Sequence, residues 1–416
     1  MHIGLVLATA FISIATGLLA GIYPAYYMTS FPPALVLKGS FGLSPKGCQL
    51  RNALIGVQYV ASFGLIIGAT FMYLQNYYMQ NTPLGYDKDE IIITNMNNNI
   101  RKSRDAFASQ VKSFSGIEEV TYAEMLLSSQ DQYMGWGRKY RDKDIQFQCL
   151  PVEPSFLKVM NVKISEGRDF REEDKAKRYG TFVFNERART EYGLEIGSLI
   201  DSMEIVGFMP DVKFASFRTE VTPMAFFVWG TNNWGNQPNY AYIKVKAGSD
   251  LRGAMQHVKT TLQSFDPEYP FNVRFFDEVL NGLYEKERSL SSLITLFSLI
   301  AIFISVVGVF GLVVFDSEYR KKEIGIRKVL GSTTEEIIVM FNKTYIRILC
   351  VCFVLGAPIA GYVVHRWLEN FAYKTPMYWW VYLIAFAIIA VITILTVTFQ
   401  NWRAANENPV HSIKNE

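Results

Sequence analysis

Glu323-Ile-Gly-Ile-Arg-Lys-Val-Leu-Gly331 is the stretch on which the reading of this chain turns. It follows a long apolar run and stands in a dense positive cluster of Arg320, Lys321, Lys322, Arg327 and Lys328. Basic residues set against the end of an apolar span mark the cytoplasmic side of a membrane. Ile326, Val329 and Leu330 recur at i, i+3 and i+4, so the spacing predicts a helix with a short apolar stripe beside a charged face. Gly331 stops that helix. Ser332-Thr-Thr-Glu335 reads as a capping box for the next one, its hydroxyl and its carboxylate each accepting from an unpaired backbone N–H. The expectation is a short amphipathic helix at the inner membrane face, with a surface suited to docking a soluble partner.

Working outward, the 416 residues are half hydrophobic with a net charge of +3, and that average conceals two populations. Residues 80–287 carry 26 Lys and Arg against 30 Asp and Glu, a net of −4, while the remainder carries 15 against 8, a net of +7. A neutral-to-acidic block between basic, apolar flanks is the pattern of a membrane protein, not of one that binds nucleic acid. A bilayer crossing takes roughly 17–25 residues. Five runs qualify: 3–31, 53–74, 289–315, 348–364 and 377–399. The first lacks a basic n-region and is too long for the apolar core of a signal peptide, so it is read as a retained helix.

The positive-inside rule orients these spans. Lys38, Lys46 and Arg51 place the first connection inside, which sends the large block outside. The expected order is therefore transmembrane helix 1–31, cytoplasmic segment 32–52, transmembrane helix 53–79 and extracytoplasmic domain 80–287. Transmembrane helix 288–315, cytoplasmic coupling segment 316–344, transmembrane helices 345–365 and 377–400, and cytoplasmic tail 401–416 follow. Tyr77, Tyr78, Trp367, Tyr373, Trp379 and Trp380 are expected to form an aromatic belt at the outer interface. Cys149 is alone on the outer side, away from Cys48, Cys350 and Cys352, so no disulfide is expected there.

The outer block is predicted to be mixed α/β, with strands at 91–94, 147–152, 181–184, 205–208, 224–229, 240–245 and 273–276 and helices at 106–114 and 251–265. The arms 91–114 and 240–276 read as one subdomain, with a second, 131–235, inserted between them. A faint repeat links the two ends of the chain: Pro33-Ala-Leu-Val-Leu-Lys38 and Pro409-Val-His-Ser-Ile-Lys414 each follow a span. The fold class expected is an α-helical membrane protein with five transmembrane helices and one mixed α/β extracytoplasmic domain of two subdomains.

No catalytic constellation stands out, and an enzyme is not expected. Gly-x-x-x-x-Gly-Lys-(Ser/Thr) is absent, so the chain has no phosphate-binding loop of its own, and no cofactor is expected in it. His2, His257, His365 and His411 are scattered, and Asp131, Asp142 and Asp144 do not follow the order of a calcium loop. Glu172, Glu173 and Asp174 read as a solvated face. The spans hold almost no ionisable residues, which argues against a proton or ion path through them. Gly17 with Gly21, Gly64 with Gly68, Gly308 near Gly311, and Gly356 with Ala360 have the spacing of close helix packing. Phe226, Phe227, Trp229 and Trp234 are read as core rather than as an apolar binding site.

With these residues in view, the Glu323–Gly331 stretch resembles the signature of the FtsX/MacB-type ABC transporter permeases. So do the stretches 152–160 and Glu166-Gly-Arg-Asp-Phe170, Phe184-Asn-Glu186, Ile205-Val-Gly207 with Asp211, and Asp266-Pro-Glu-Tyr-Pro-Phe271. The resemblance covers nearly the whole chain from about residue 50. It implies a permease subunit of a bacterial inner membrane, multi-pass, with its large domain in the periplasm. Such a permease pairs with a separate ABC ATPase that binds ATP, and ATP-driven motion moves the outer domain to export or extract a peptide, antibiotic or lipoprotein. Carried onto this chain, Glu323, Ile324, Gly325, Arg327, Lys328 and Gly331 would meet the ATPase. A minimal permease has four spans and longer members duplicate that unit. The extra first span here implies the closing span of one unit followed by a complete second one, and hence a second permease half or a homodimer. A periplasmic partner is a further expectation. FtsX-like signalling to a cell-wall hydrolase, and a receptor or scaffold without an ATPase, are the alternatives.

Overall fold

The computed structural model describes residues 45–127, 134–213, 217–232, 237–282, 284–319, 326–327 and 330–405, with Phe11, Ile14 and Leu18. Most of the expected first span and both copies of the Pro-x-x-x-(Leu/Ile)-Lys repeat lie outside the described residues. The chain divides into two compact units, one of residues 63–300 and 357–385, the other of 1–62, 301–356 and 386–416.

Eleven strands are described: β1 (Ile91–Asn95), β2 (Ile117–Ala123), β3 (Met134–Tyr140), β4 (Lys143–Pro151), β5 (Glu166–Gly167), β6 (Thr181–Asn185), β7 (Leu199–Ile200), β8 (Met203–Met209), β9 (Met224–Val228), β10 (Tyr240–Val245) and β11 (Arg274–Phe275). The helices are α1 (Pro45–Asn81), α2 (Asn98–Lys102), α3 (Arg104–Lys112), α4 (Phe156–Val159), α5 (Glu186–Tyr192), α6 (Leu251–Phe265), α7 (Phe276–Gly282), α8 (Glu285–Tyr319), α9 (Thr334–Leu368) and α10 (Trp379–Ala405), with a 3-10 turn at Glu172–Ala176.

The strands form two sheets. One has the order β11-β1-β10-β2 and is antiparallel throughout. The other runs β3-β4-β9-β6-β8-β5, with β7 on β8 and with β4–β9 and β6–β8 parallel. Helix α6 covers the first sheet through Ala254, Val258, Thr261 and Leu262, spaced at about one turn, and Asp250 caps its start by accepting from the N–H groups of Arg252 and Gly253. A core containing Ile91, Ile93 and Tyr242 from the first sheet and Leu150, Val183, Val206 and Phe226 from the second is shared by both. Phe156 sits at its centre, 5.1 Å from the Tyr242 ring and 5.6 Å from that of Phe226.

Four strands escaped the sequence reading, the two-residue β5 and β7 and the longer β2 and β3. In β2 the pair Glu118, Glu119 breaks the apolar run, and Lys112 neutralises Glu119 at 2.5 Å. In β3 Gly135 and Gly137 weaken the strand signal; among the described residues β3 is an edge strand paired with β4, and it buries Trp136, between the glycines, and Tyr140 at its end. Phe226 and Phe227 are fully buried on opposite faces of β9, in different cores, while Trp234 lies outside the described residues.

In the acidic run 172–174, Glu172 and Glu173 are exposed as a solvated face requires, but Asp174 is not. Asp174 is 1% exposed and accepts two hydrogen bonds from Arg168, both 2.8 Å, one from the Arg171 N–H at 2.8 Å, and an ion pair from Lys177 at 3.2 Å. Burial opposes its ionisation, but these donors prevail and lower its pKa to about 2. The sequence shows three acids in a row, and only the fold reveals that the third turns inward. Gly167 opposes Gly207 in the β5–β8 pair, at φ +85°, and a Cβ there would meet the Val206 carbonyl oxygen at 2.5 Å. Asn185 caps α5 by accepting from the Ala188 N–H and also ties down β9 through the Met224 N–H and Thr222 carbonyl. Asp266 accepts from the side chains of Asn97 and Asn99.

Among the described residues four helices are long and apolar enough to cross a membrane: Ile55–Asn81, Arg288–Gly311, Thr334–Leu368 and Trp379–Arg403. The expected fifth, 1–31, is described only at Phe11, Ile14 and Leu18, which are helical and exposed. Helix α9 begins at Thr334, inside the stretch expected as a cytoplasmic connection, because residues 334–344 continue the span without a helix breaker. The close-packing glycines divide. A Cβ on Gly356 would touch the Val60 backbone at 3.4 Å, so α1 and α9 approach closely there, and one on Gly308 would meet Gln58; at Gly64 and Gly68 a Cβ would meet nothing within 4 Å. Cys149 is buried and unpaired, as is Cys352, and Cys350 is exposed.

Candidate functional site

Two structural features bear on how this chain could act. The first is the end of the Glu323–Gly331 stretch. Ile326 and Arg327 are helical and exposed, and Leu330 is 80% exposed; Glu323, Ile324, Gly325 and Lys328 lie outside the described residues, as does Val329. The helix closes as its composition requires. Gly331 takes φ +96°, open to glycine and strained for other residues, and the Ser332 N–H reaches back to the Arg327 carbonyl at 2.9 Å, the long bond of a Schellman motif. The next helix then starts with a reciprocal capping box, one residue later than expected. Thr333 Oγ1 accepts from the Glu336 N–H at 3.2 Å, and Glu336 Oε2 accepts from the Thr333 N–H at 3.1 Å. Ser332-to-Glu335 fits the box pattern equally well in sequence, but Ser332 is already used in closing the preceding helix. The turn is thus fixed at both ends, and it holds Ile326 and Leu330, four residues apart, as an exposed apolar pair beside Arg327.

The second feature was not foreseen. Phe217, in the loop between β8 and β9, is 1% exposed and inserts among aromatic rings from three other segments. Its ring centroid is 6.3 Å from Tyr78 on α1, 6.0 Å from Tyr284 just before α8 and 5.9 Å from Tyr373 in the loop between α9 and α10. Backbone bonds fix the same place. The Tyr373 N–H donates to the Phe217 carbonyl at 3.1 Å, and the Phe217 N–H donates to the Tyr284 hydroxyl at 3.2 Å. Lys213 lies 5.3 Å from the Phe217 ring centroid and 5.0 Å from that of Tyr373, and burial pushes its pKa below the usual lysine value. Gln75, fully buried on α1, grips the same loop with both ends of its amide. Its Nε2 donates to the Tyr373 carbonyl at 3.0 Å and its Oε1 accepts from the Thr375 N–H at 2.8 Å.

The aromatic belt is corrected accordingly. Tyr77 and Trp379 are exposed, as a belt requires, but Tyr78, Trp367 and Tyr373 pack around Phe217, Met79 and Phe371. A single phenylalanine between two strands gave no sequence signal. Gln75, an amide within the aromatic end of a span, was the available one. Among the described residues no group of three His, Cys, Asp or Glu is placed to hold a metal ion.

Residues 55–261 match the family MacB-like periplasmic core domain, and residues 295–409 match FtsX-like permease C-terminal. The chain is similar to the Macrolide export ATP-binding/permease protein MacB of Chromobacterium violaceum, at 23% identity over 230 residues, 53% of this chain and 35% of that protein. The protein of the same name in Escherichia coli (strain K12) is 23% identical over 233 residues, again 53% and 35%. The chain therefore spans about a third of the length of the curated relatives it matches. Among solved structures, the periplasmic region of MacB from Actinobacillus actinomycetemcomitans is 14% identical with a TM-score of 0.35, covering 48% of this chain and 94% of that one.

Proposed function

Because the chain belongs to the FtsX/MacB-type ABC transporter permeases, we propose that it is the permease subunit of a mechanotransmission system in a bacterial inner membrane. In this reading an ABC ATPase partner binds and hydrolyses ATP, and this chain does no chemistry of its own. Glu323, Ile324, Gly325, Arg327, Lys328 and Gly331 form the coupling surface, with the exposed Ile326 and Leu330 as its apolar centre. The outer domain lies in the periplasm, and its two sheets behave as two subdomains. Its motion exports or extracts a peptide, antibiotic or lipoprotein, together with a second permease half or a second copy of this chain.

The observation that carries this reading is the single helix α9. Its 35 residues start at the Thr333–Glu336 capping box beside the coupling turn and end at the loop that Gln75 and Phe217 hold. A helix transmits displacement along its length because backbone hydrogen bonds brace its turns; in α9 the ladder lacks one bond, at Pro358, which has no N–H to donate and is where the helix can bend. One element thus links the place where an ATPase would push to the place where the α/β domain is fastened.

The test is co-purification from native membranes of the wild type and of Arg327→Glu, reading subunit masses and ATPase activity in one sample. An ATPase that accompanies the wild type and is depleted about tenfold or more in the variant is expected, since inverting a charge at a docking face costs of the order of 1–3 kcal/mol. Equal recovery of the ATPase with both proteins would defeat the assignment of the coupling surface. Its absence from well-folded wild type would defeat the permease reading and favour a receptor.

A further inference from the structure

A cleft of about 340 Å³ opens in the α/β domain, walled by residues that flank both sheets. Its charges come from Arg101 and Lys102 on α2, Arg104 at the start of α3, Glu124 after β2, Glu153 after β4 and Lys175 in the 3-10 turn, with Trp229 after β9 beside them. Four cations face two carboxylates. Glu153 is taken by two of the cations, Arg104 at 2.6 Å and Lys175. Arg101 and Lys102 make no ion pair among the described residues; the Arg101 guanidinium is held instead by Asn98 Oδ1 at 3.1 Å and the Met96 carbonyl at 3.3 Å.

Glu124 is the unusual member. It is only 7% exposed and no ion pair reaches it among the described residues; its Oε1 accepts from the Trp229 indole Nε1. Burial outweighs that hydrogen bond and raises its pKa to about 7. A purely structural position of this kind would be served better by an uncharged residue, since an unpaired buried carboxylate is costly. The cleft therefore keeps a carboxyl that is largely neutral below pH 7, beside an indole and two cations without an ion pair among the described residues.

We propose that this cleft binds an oxyanion, a carboxylate or a phosphate, carried on an apolar or aromatic body. Arg101 and Lys102 take the oxyanion, and the Glu124 carboxyl and Trp229 meet the uncharged part. A guanidinium already oriented by its neighbours presents a fixed fork to an oxyanion, and a concave wall strengthens the attraction by excluding water. The charged and titratable groups around Glu124 are Arg101, Lys102, Arg104, Glu153 and Lys175, the Tyr122 hydroxyl, which burial pushes upward, and the buried Cys149 thiol on β4, which burial and then Glu124 push upward. As pH rises through about 7, Glu124 ionises, the cleft loses positive charge and the anion is held less well. The site belongs to the outer domain alone, so it does not depend on pairing with an ATPase.

The test is calorimetric titration of the full chain in nanodiscs of zwitterionic lipid with three probes: N-acetyl-Phe-Phe with a free carboxylate, its C-terminal amide, and phenyl phosphate. Saturable binding of the anions, with the amide about tenfold weaker or worse, is expected. The stronger of the two anions identifies the source as a peptide carboxylate or a phosphate ester. Arg101→Ala with Lys102→Ala should lose about tenfold or more, while in Glu124→Gln the decline of binding between pH 6 and 8.5 should disappear. Equal binding of acid and amide overturns the proposal without any variant. Undiminished binding in the double variant, or no saturation with any probe, overturns it as well.

Discussion

The two units of this molecule are held together in different ways. In the unit of residues 63–300 and 357–385 the deciding polar groups each have several partners. Asp174 collects donors from Arg168, Arg171 and Lys177, Asn185 ties a helix start to a strand, and Gln75 grips a loop with both ends of its amide. In the unit of 1–62, 301–356 and 386–416 three described contacts between helices each join one pair of side chains. Tyr59 meets Thr393 at 3.1 Å, Ser62 meets Ser305 at 2.8 Å, and Asn342 donates to Thr398 at 2.9 Å. A hydroxyl in a helix can turn to a carbonyl of its own preceding turn when its partner leaves, so single hydroxyl contacts are cheap to break. A group with three or four partners has no such substitute. These described groups of the two units therefore differ in the number of partners that each buried polar group has. The proposed mechanotransmission would draw on that contrast, with anchored groups in the α/β domain and helices that re-pack.

The strongest attack on the contrast is Phe217→Ala. It removes a fully buried ring touched by three aromatic neighbours and should cost about 3–5 kcal/mol at that site. In nanodiscs the variant should become sensitive to protease between β8 and β9 and melt lower. In a reconstituted complex, ATP hydrolysis should continue while movement of the outer domain, read by a spectroscopic label, is reduced. Undiminished movement would show that the domain is driven by another route and that the aromatic cluster is packing alone.

Asp174→Asn tests the same idea within the α/β domain. Arg168 and Lys177 are partly exposed, which moderates the loss, so a destabilisation of about 2–3 kcal/mol is expected. The pH dependence has a definite sign. The folded pKa, about 2, lies below the unfolded value of about 3.9. The contribution of Asp174 is therefore complete above pH 4 and lost as pH falls toward 2. Thermal melting of the wild type should decline over that interval more steeply than that of the variant. Parallel declines would mean that the carboxylate is not the anchor its four contacts make it.

Much of the fold was legible because strand and helix periods are local. Residues 240–245 alternate and 251–265 repeat at the helical period, and both elements appear with those bounds. The resemblance to a permease rested on short motifs such as Glu166-Gly-Arg-Asp-Phe170 and Phe184-Asn-Glu186. The structure gives these a physical meaning, since their glycines allow close strand pairing and their polar residues cap and anchor. What stayed hidden depends on contacts between distant segments. Nothing near Phe217 in sequence announces that Tyr78, Tyr284 and Tyr373 surround it, and nothing near Glu124 announces Trp229. Asp174 was misread for the same reason, because its partners fix its direction and a run of acids in sequence does not. The capping box slipped by one residue because Ser332 and Thr333 carry the same chemistry, and only the Gly331 turn decides which is free to cap.

The smallest expected effect gives the other half of the contrast its sharpest test. Ser62→Ala deletes one partner of the Ser62–Ser305 pair, in a setting where Ser305 can turn to a carbonyl of its own helix. Hydrogen bonds between membrane helices average about 0.6 kcal/mol, because the separated helices find other partners. The variant should therefore insert normally and melt within about 2 °C of the wild type. If the helices re-pack during the working cycle, it should also retain ATP-driven movement of the outer domain. A small void of about 10 Å³ lined by Tyr59, Ser62, Ser305 and Thr393 already marks this place as less than fully packed, so loss of a hydroxyl should not propagate. A drop as large as that of Phe217→Ala would mean that single hydroxyl contacts here carry as much as the multiple contacts of the other unit, and the contrast between the two would fall.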